Sequence, residues 1–588
     1  MIQSSGRQVS ISQIALPTEN GQHLAATLFK PKTATEENPA PFIVVVPGFQ
    51  RSKEALANIA IELSRRGFVV ASIDPYGQGF SSSSMSTRSA THEGYGLFAL
   101  VDYAASTGNL NYIDRSRIGA TGHSAGGNAA IRGANYFGRE AERTGAPSKL
   151  HSVFVSGYVL TLRKSVLKDV QSNIGVSYAL YDEGAFRNKL KNGDMRIAPE
   201  ALAVVNSGRG KGLKSIRAVV PGRFYGDLDT RALRVVHNEP LLHPFQPYNG
   251  EATANQIAYF EHVFNHSSGL ATHDQIWHWK ELFGLVAFVI SLIAIIPLGR
   301  ILLTTTTFHS LVHRVPEAAP VPTGTGRIIF WSLFFVGAAI ACASFIPMVD
   351  ISKSLFVAAS NRHQTWFFPQ RMNNPVMLWA LFNGLIGLAL FYLSYRFYGR
   401  MHGANPKNWG VRIDRNELVL TVIAALIIFS LYYLMLFFIN YLFQVDYRFW
   451  FIGARVFQPE MLILLGMYVP FFLVFFMANS LRVNAAMRFK DELEWKSMLL
   501  AGIANSLGLF FIIFIQYTVF SFTGTVYWTQ NWLYINLLFG IVPVMFILPY
   551  FNRYFFKMTG KIYLGPLVTC LIFIMILITN TVCYIPIK

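Results

Sequence analysis

Arg117-Ile-Gly-Ala-Thr-Gly-His-Ser124-Ala-Gly-Gly127 runs from an apolar strand into Gly-x-Ser-x-Gly, and then into an alanine-rich helix, Asn128-Ala-Ala-Ile-Arg-Gly-Ala. So sharp a turn from strand to helix forces the residue at its apex, Ser124, into a strained backbone conformation. Hydrogen side chains at Gly122 and Gly126 let the neighbouring backbone pass closely enough. The strain lifts the serine hydroxyl above a sheet. It also sets the N-terminus of the following helix beneath it, where developing negative charge is favoured. A serine presented this way is equipped for nucleophilic acyl chemistry.

Around this turn, strand and helix patterns alternate over residues 8–266, the signature of a mostly parallel sheet covered on both faces. Residues 11–16 and 24–29 predict a hairpin around Asn20-Gly21. Phe42-Ile-Val-Val-Val46 and Phe68-Val-Val-Ala-Ser-Ile73 read as buried strands, the second ending in the turn Asp74-Pro-Tyr-Gly-Gln-Gly79. Further strands are predicted at 153–159, 174–180 and 232–236. A closing helix over 253–264 follows, with Ile257, Phe260 and Phe264 on one face.

These residues resemble the α/β-hydrolase superfamily over about residues 10–266. More closely, they resemble bacterial membrane-tethered serine hydrolases, in which a dienelactone-hydrolase- or peptidase-like domain precedes several membrane spans. The resemblance rests on Ile14-Ala-Leu-Pro-Thr-Glu-Asn-Gly21, Pro47-Gly-Phe49, Asp74-x-x-Gly77-x-Gly79, the serine turn and Leu242-His-Pro244. It implies the α/β-hydrolase fold, a mostly parallel sheet with helices on both faces, followed by an all-α polytopic membrane domain. It does not by itself fix a substrate.

The resemblance also implies a chain order of serine, acid, histidine. Tyr178-Ala-Leu-Tyr-Asp182-Glu183 offers the acid; Asp182 is the choice because Gly184 follows and the apolar run stops there. Glu183 is the local competitor, and an aspartate here would equally suit a helix cap or turn. Two histidines, His237 and His243, lie between the last strand and the last helix. His243 matches the histidine loop of the group, while His237 stands at a strand end and His123 is expected to pack beside Ser124. The oxyanion hole is expected from the amides of Ala125 and Phe49. Many relatives carry histidine where this chain has Pro47, which removes one donor but leaves the Gly48-Phe49 amides. The stretch 186–231, rich in Lys, Arg and Gly, is either a lid over the acyl site or a solvated excursion.

The remaining half belongs to a different solvent. The chain of 588 residues is 52% hydrophobic and 14% charged. Residues 1–280 hold 29 Lys/Arg and 22 Asp/Glu, against 21 and 10 in 281–588. Residues 1–270 therefore form the hydrolase domain and 281–588 a transmembrane helical domain. Eight apolar runs are long enough to cross a bilayer: 282–303, 328–348, 376–398, 417–443, 459–481, 497–521, 531–551 and 563–586. Interfacial aromatics flank several, as at Trp409, Trp450, Trp528 and Trp532. All three cysteines, Cys342, Cys570 and Cys583, fall in these runs and offer no disulfide framework. The net charge of +18 is juxtamembrane, with no basic stripe of the kind that binds nucleic acid.

If the spans alternate, one set of loops carries 15 Lys/Arg and the other 6, counting Lys588. The positive-inside rule then puts the hydrolase half outside the cytoplasm of a bacterial cell membrane. Residues 1–25 contain no signal-peptide core. Either an N-terminal anchor precedes this chain, the favoured reading, or the domain is cytoplasmic and the charge rule is broken. Span interiors carry amides such as Asn383, Asn479, Asn505 and Asn580 rather than charges, which suits helix–helix hydrogen bonding more than ion coupling.

The sequence thus leads to a membrane-bound serine hydrolase of carboxylic esters, lipid or cell-envelope esters among them, with the bilayer and an ester or acyl substrate as partners. No cofactor and no metal is implied. Acyl transfer or peptide cleavage would use the same residues. A transporter or scaffold with a non-catalytic hydrolase-like domain is the alternative from another class.

Overall fold

The computed structural model describes residues 1–18, 21–210 and 213–586. Asn20 of the predicted hairpin turn, two residues of the 186–231 stretch and Lys588 lie outside them. Eight strands form one sheet: β1 (Val9–Pro17), β2 (His23–Pro31), β3 (Ala40–Val46), β4 (Val69–Ile73), β5 (Ile113–His123), β6 (Ser152–Ser156), β7 (Asn173–Ser177) and β8 (Arg234–His237). Their spatial order is β1-β2-β4-β3-β5-β6-β7-β8. The β1–β2 and β2–β4 pairs are antiparallel and the remaining pairs parallel.

The period-2 alternation of β3 decides which helix goes where. Val44 and Val46 face one core, shared with helices α2 (Leu97–Ser106) and α3 (Ala125–Thr144) through Leu97, Val101, Ile131 and Phe137. Ile43 and Val45 face the other. They pack with Ile59 and Leu63 of α1 (Ala57–Arg65), and with Ile257 and Phe260 of the helix Gly250–Val263. Burial on both faces is why β3 reads as an uninterrupted apolar run.

The described residues of 186–231 pack on the sheet. They include α4 (Pro199–Ser207), and their Met195, Ala201, Val205 and Val219 are buried in the same core as α2 and α3. The closing helix Gly250–Val263 is α5.

The second half is helical: α6 (Trp277–Leu303), α7 (Gly324–Leu355), α8 (Asn373–Phe397), α9 (Arg415–Phe443), α10 (Glu460–Leu481), α11 (Glu494–Thr523), α12 (Leu538–Thr559) and α13 (Leu564–Thr579). Among the described residues, seven helices are long and apolar enough to cross a membrane, and α13 is shorter. Eight spans were expected. The run 563–586 falls short because residues after Thr579 leave the helix. They stay apolar since they bury against the hydrolase half: Val582 and Tyr584 pack against Phe49, and the Cys583 amide donates to the Gly77 carbonyl at 2.7 Å. Cys583 is accordingly in this extended tail rather than in a helix.

The connections between the helices fall into two groups. The connections around 364, 458 and 532, and the tail after α13, all meet the hydrolase half, through Gln364–Ser84, Gln458–Phe80, Trp532–His243 and Cys583–Gly77. The more basic loops meet one another on the far side, as in Ala319–Arg488 and His313–Glu417. Between α9 and α10 a small hairpin, β9 (Tyr447–Phe449) and β10 (Ile452–Ala454), presses Trp450 flat against Tyr248, their ring centroids 5.5 Å apart. Beside it, the buried Arg455 guanidinium reaches Glu54 at 3.1 Å and Asp74 at 3.6 Å.

Candidate active site

Ser124 stands between β5 and α3 with φ 57° and ψ −120°, a region that costs a residue with a side chain of order 1–3 kcal/mol. The packing around it explains the glycines. A Cβ on Gly126 would lie 1.9 Å from the Val46 carbonyl oxygen, and one on Gly122 would lie 2.5 Å from Gly126. The turn therefore tolerates nothing larger at either position.

The acid and the histidine arrive on two loops that zip together past the ends of β7 and β8. The Leu180 amide donates to the Glu239 carbonyl at 2.7 Å and the Tyr181 amide to the Leu241 carbonyl at 3.0 Å. This pairing places Asp182 opposite His243. Nδ1–H of His243 donates to Asp182 Oδ2 at 2.6 Å, which leaves Nε2 to accept the Ser124 hydroxyl at 3.0 Å. The Gly184 amide, 2.7 Å from Asp182 Oδ1, fixes the carboxylate. Ser124, Asp182 and His243 are thus brought together.

Glu183 does not replace Asp182 but serves the same histidine from behind. Its Oε2 accepts the His243 backbone N–H at 2.8 Å, and its Oε1 accepts the hydroxyl of Tyr517, on α11, at 2.5 Å. Burial and the neighbouring Asp182 raise its pKa. Burial alone would push the His243 imidazole down. The Asp182 carboxylate, its hydrogen bond and Glu183 more than offset this, so the pKa of the ring lies above the ordinary histidine value.

His237 is the rejected candidate. Its ring lies against Phe154, with centroids 6.3 Å apart, and burial lowers its pKa to about 4. His123 packs beside His243 with ring centroids 4.7 Å apart, and burial with the adjacent His243 keeps it well below the usual range.

Phe49 follows Gly48, where a Cβ would sit 3.1 Å from Ser124 Cβ. The Gly48–Phe49 backbone therefore passes directly beside Ser124. The Ala125 amide begins α3, where helix geometry leaves it without an intrahelical acceptor.

What covers the serine is the helical half. Ser124 and His243 open onto a cavity bounded from the sheet side by Gly48, Phe49 and Tyr248. From the other side it is walled by α8, α10, α12 and α13, through Val376, Trp379, Phe475, Val544 and Phe573. Among the described residues of 186–231, none lines it. Trp532 stands edge-on to the His243 ring, with centroids 5.6 Å apart. No sequence signal marks Trp532 or Tyr517 as site residues, since aromatics at span ends are ordinary interfacial anchors. Among the described residues, no group of three His, Cys, Asp or Glu side chains could hold a metal ion.

Sheet order, serine turn and acid and histidine loops define an α/β-hydrolase fold, joined here to a bundle with seven membrane-length helices. Residues 3–190 match the family model described as PET hydrolase-like, a hydrolase family; the matched stretch includes Ser124 and Asp182. An esterase of Pyrococcus furiosus is similar in structure at 11% identity, with 45% of this chain and 95% of that one covered and a TM-score of 0.31. A Klebsiella pneumoniae protein assigned as a dienelactone hydrolase is 14% identical, with 43% and 98% covered and a TM-score of 0.30. The dipeptidyl peptidase 4 of Porphyromonas gingivalis is 15% identical over 44% of this chain and 36% of its own, with a TM-score of 0.31. No curated protein sequence matches the chain.

Proposed function

We propose that the protein is a membrane-bound serine hydrolase that cleaves carboxylic esters through an acyl-enzyme. One observation carries this reading: Ser124, His243 and Asp182 form a continuous hydrogen-bonded chain at 3.0 and 2.6 Å, beside the close-passing Gly48–Phe49 backbone. In the proposed reaction the Ser124 oxygen attacks the ester carbonyl as His243 Nε2 takes the hydroxyl proton. The amides of Phe49 and Ala125 hold the oxyanion. Collapse expels the alcohol, which leaves with the proton from His243. Water then attacks the acyl-serine by the same route, returning a carboxylic acid and free Ser124. Asp182 orients the imidazole and stabilises its charged form.

We place the hydrolase half on the extracytoplasmic side, because it sits on the face of the bundle whose loops are poor in Lys and Arg. Protease accessibility of residues 1–270 in intact cells against inverted vesicles tests this placement; cleavage in inverted vesicles alone overturns it.

The chemistry is tested by labelling the detergent-solubilised protein with a fluorophosphonate, alongside Ser124→Ala and His243→Ala. Labelling in the wild type that disappears in Ser124→Ala supports the reading. Its persistence in Ser124→Ala, or its absence from the wild type, overturns it.

A further inference from the structure

The cavity in front of Ser124 does not stay within the hydrolase half. On α8 its lining runs from Asn373 to Ala380, about 10 Å of helix at 1.5 Å per residue. On α12 it descends to Met545, and on α13 to Phe573. Its polar groups gather near the mouth, where Asn373, Asn536, Asn580 and Thr581 stand at or just beyond the helix ends. Deeper in, the walls are hydrocarbon and aromatic: Val376, Trp379, Phe472, Phe476 and Phe573 are all buried inside the bundle rather than turned to lipid.

We infer that this cavity is a binding site for the hydrocarbon chain of the substrate's acyl group, so that the ester is that of a lipid-like acid whose carbonyl rests at Ser124. The inference rests on the serine-hydrolase reading above. Polar groups at the neck and apolar walls below match a molecule with one polar end and a long apolar body. An isolated polar or charged ligand entering this deep would lose its hydration with nothing to replace it.

The acyl side is assigned to the cavity because of the order of events. The alcohol has to leave before water can reach the acyl-serine, whereas the acyl group stays tied to Ser124 between the two steps. A site that runs inward between helices suits the part that remains. Apolar burial then discriminates by length, each methylene taken from water favouring the bound chain about fourfold.

The experiment uses the full chain in lipid nanodiscs and two alkyl fluorophosphonates, one with a short and one with a long alkyl group standing in for the acyl chain. The readout is the ratio of long-probe to short-probe labelling rates at Ser124. The wild type is expected to favour the long probe by at least tenfold. Ala380→Trp, which fills the shaft from α8, and Val544→Phe, which narrows it from α12, should each lower that ratio about tenfold. Partial misfolding reduces both rates alike and leaves the ratio intact. A wild-type ratio near one, or a ratio unmoved in both variants, overturns the acyl-chain site while leaving the serine reading standing. If neither probe labels Ser124, the serine reading fails, and this inference with it.

Discussion

The hydroxyl of Tyr517, on a membrane-length helix, donates to the Glu183 carboxylate at 2.5 Å, and that carboxylate in turn holds the backbone of His243. The base proposed for the reaction is thus positioned by a side chain of the other half of the molecule. Trp532, edge-on to the same imidazole, repeats the arrangement from a second segment.

Tyr517→Phe removes the hydroxyl and leaves a buried carboxylate oxygen without its donor, a deficit of about 1–3 kcal/mol. We expect kcat/KM on a soluble aryl ester to fall roughly tenfold, with Ser124 still labelled by a fluorophosphonate. Unchanged kinetics would show that Glu183 holds the histidine loop unaided.

Asp182→Asn and Glu183→Gln separate two adjacent acids. The first reverses the hydrogen bond that sets the imidazole tautomer and should lower kcat by about 10⁴. The second leaves that bond in place and should cost far less. Equal losses from the two substitutions would contradict the roles assigned to them.

The pH profile follows from the same geometry. His243 must be neutral to take the serine proton, and its pKa is raised above the ordinary value. Activity is therefore expected above that raised pKa, and is lost as pH falls through it. Glu183 is among the groups that raise it. Glu183→Gln should accordingly move the acid limb to lower pH, a shift that titrating kcat/KM in both proteins would detect. Movement in the opposite direction rules out the electrostatic account.

Gly48→Ala tests the oxyanion loop. The new Cβ would lie 2.9 Å from the His123 carbonyl oxygen and 3.1 Å from Ser124 Cβ, so the Gly48–Phe49 backbone must shift. Displacing one oxyanion donor typically costs about 10²–10³ in kcat. Loss of kcat at nearly constant KM is the expected signature.

Arg455→Ala tests the seam between the halves. Asp74 is fully buried, and Arg455 and Lys53 are its cationic neighbours. Removing one partner from a buried cluster destabilises by about 3–5 kcal/mol. Thermal unfolding of the solubilised protein should show a clear drop in Tm, and Arg455→Lys should recover only part of it.

The sheet was legible because each of its central strands is either a continuous apolar run or ends in a turn with its own chemistry. The serine turn was legible because close approach at Gly122 and Gly126 admits one residue type. Asp182 and His243 were reached through chain order, and the pairing of their two loops confirms why they meet. Composition left 186–231 open between a lid and a solvated excursion; its few apolar residues fasten it to the sheet. The true cover comes from segments whose aromatic and apolar side chains serve equally well against lipid. The count of spans failed for a related reason. Hydrophobicity records burial but not the surface buried against, so the tail around Val582 read as membrane.

That tail bears on how the molecule is made. The Thr581 hydroxyl donates to Gln50 at 3.0 Å across a sequence separation of 531 residues, at the rim of the cavity that Ser124 faces. The serine turn closes over much shorter separations, with Gly126 against the Val46 carbonyl and the Ser124 amide on the Ser156 carbonyl at 2.8 Å. Long-range closures come late in folding, because the entropy of bringing distant segments together must be met before their contacts form. On that ordering the serine turn is expected to form before the rim of the cavity, so that seating of the tail, rather than folding of the sheet, completes the entrance to Ser124.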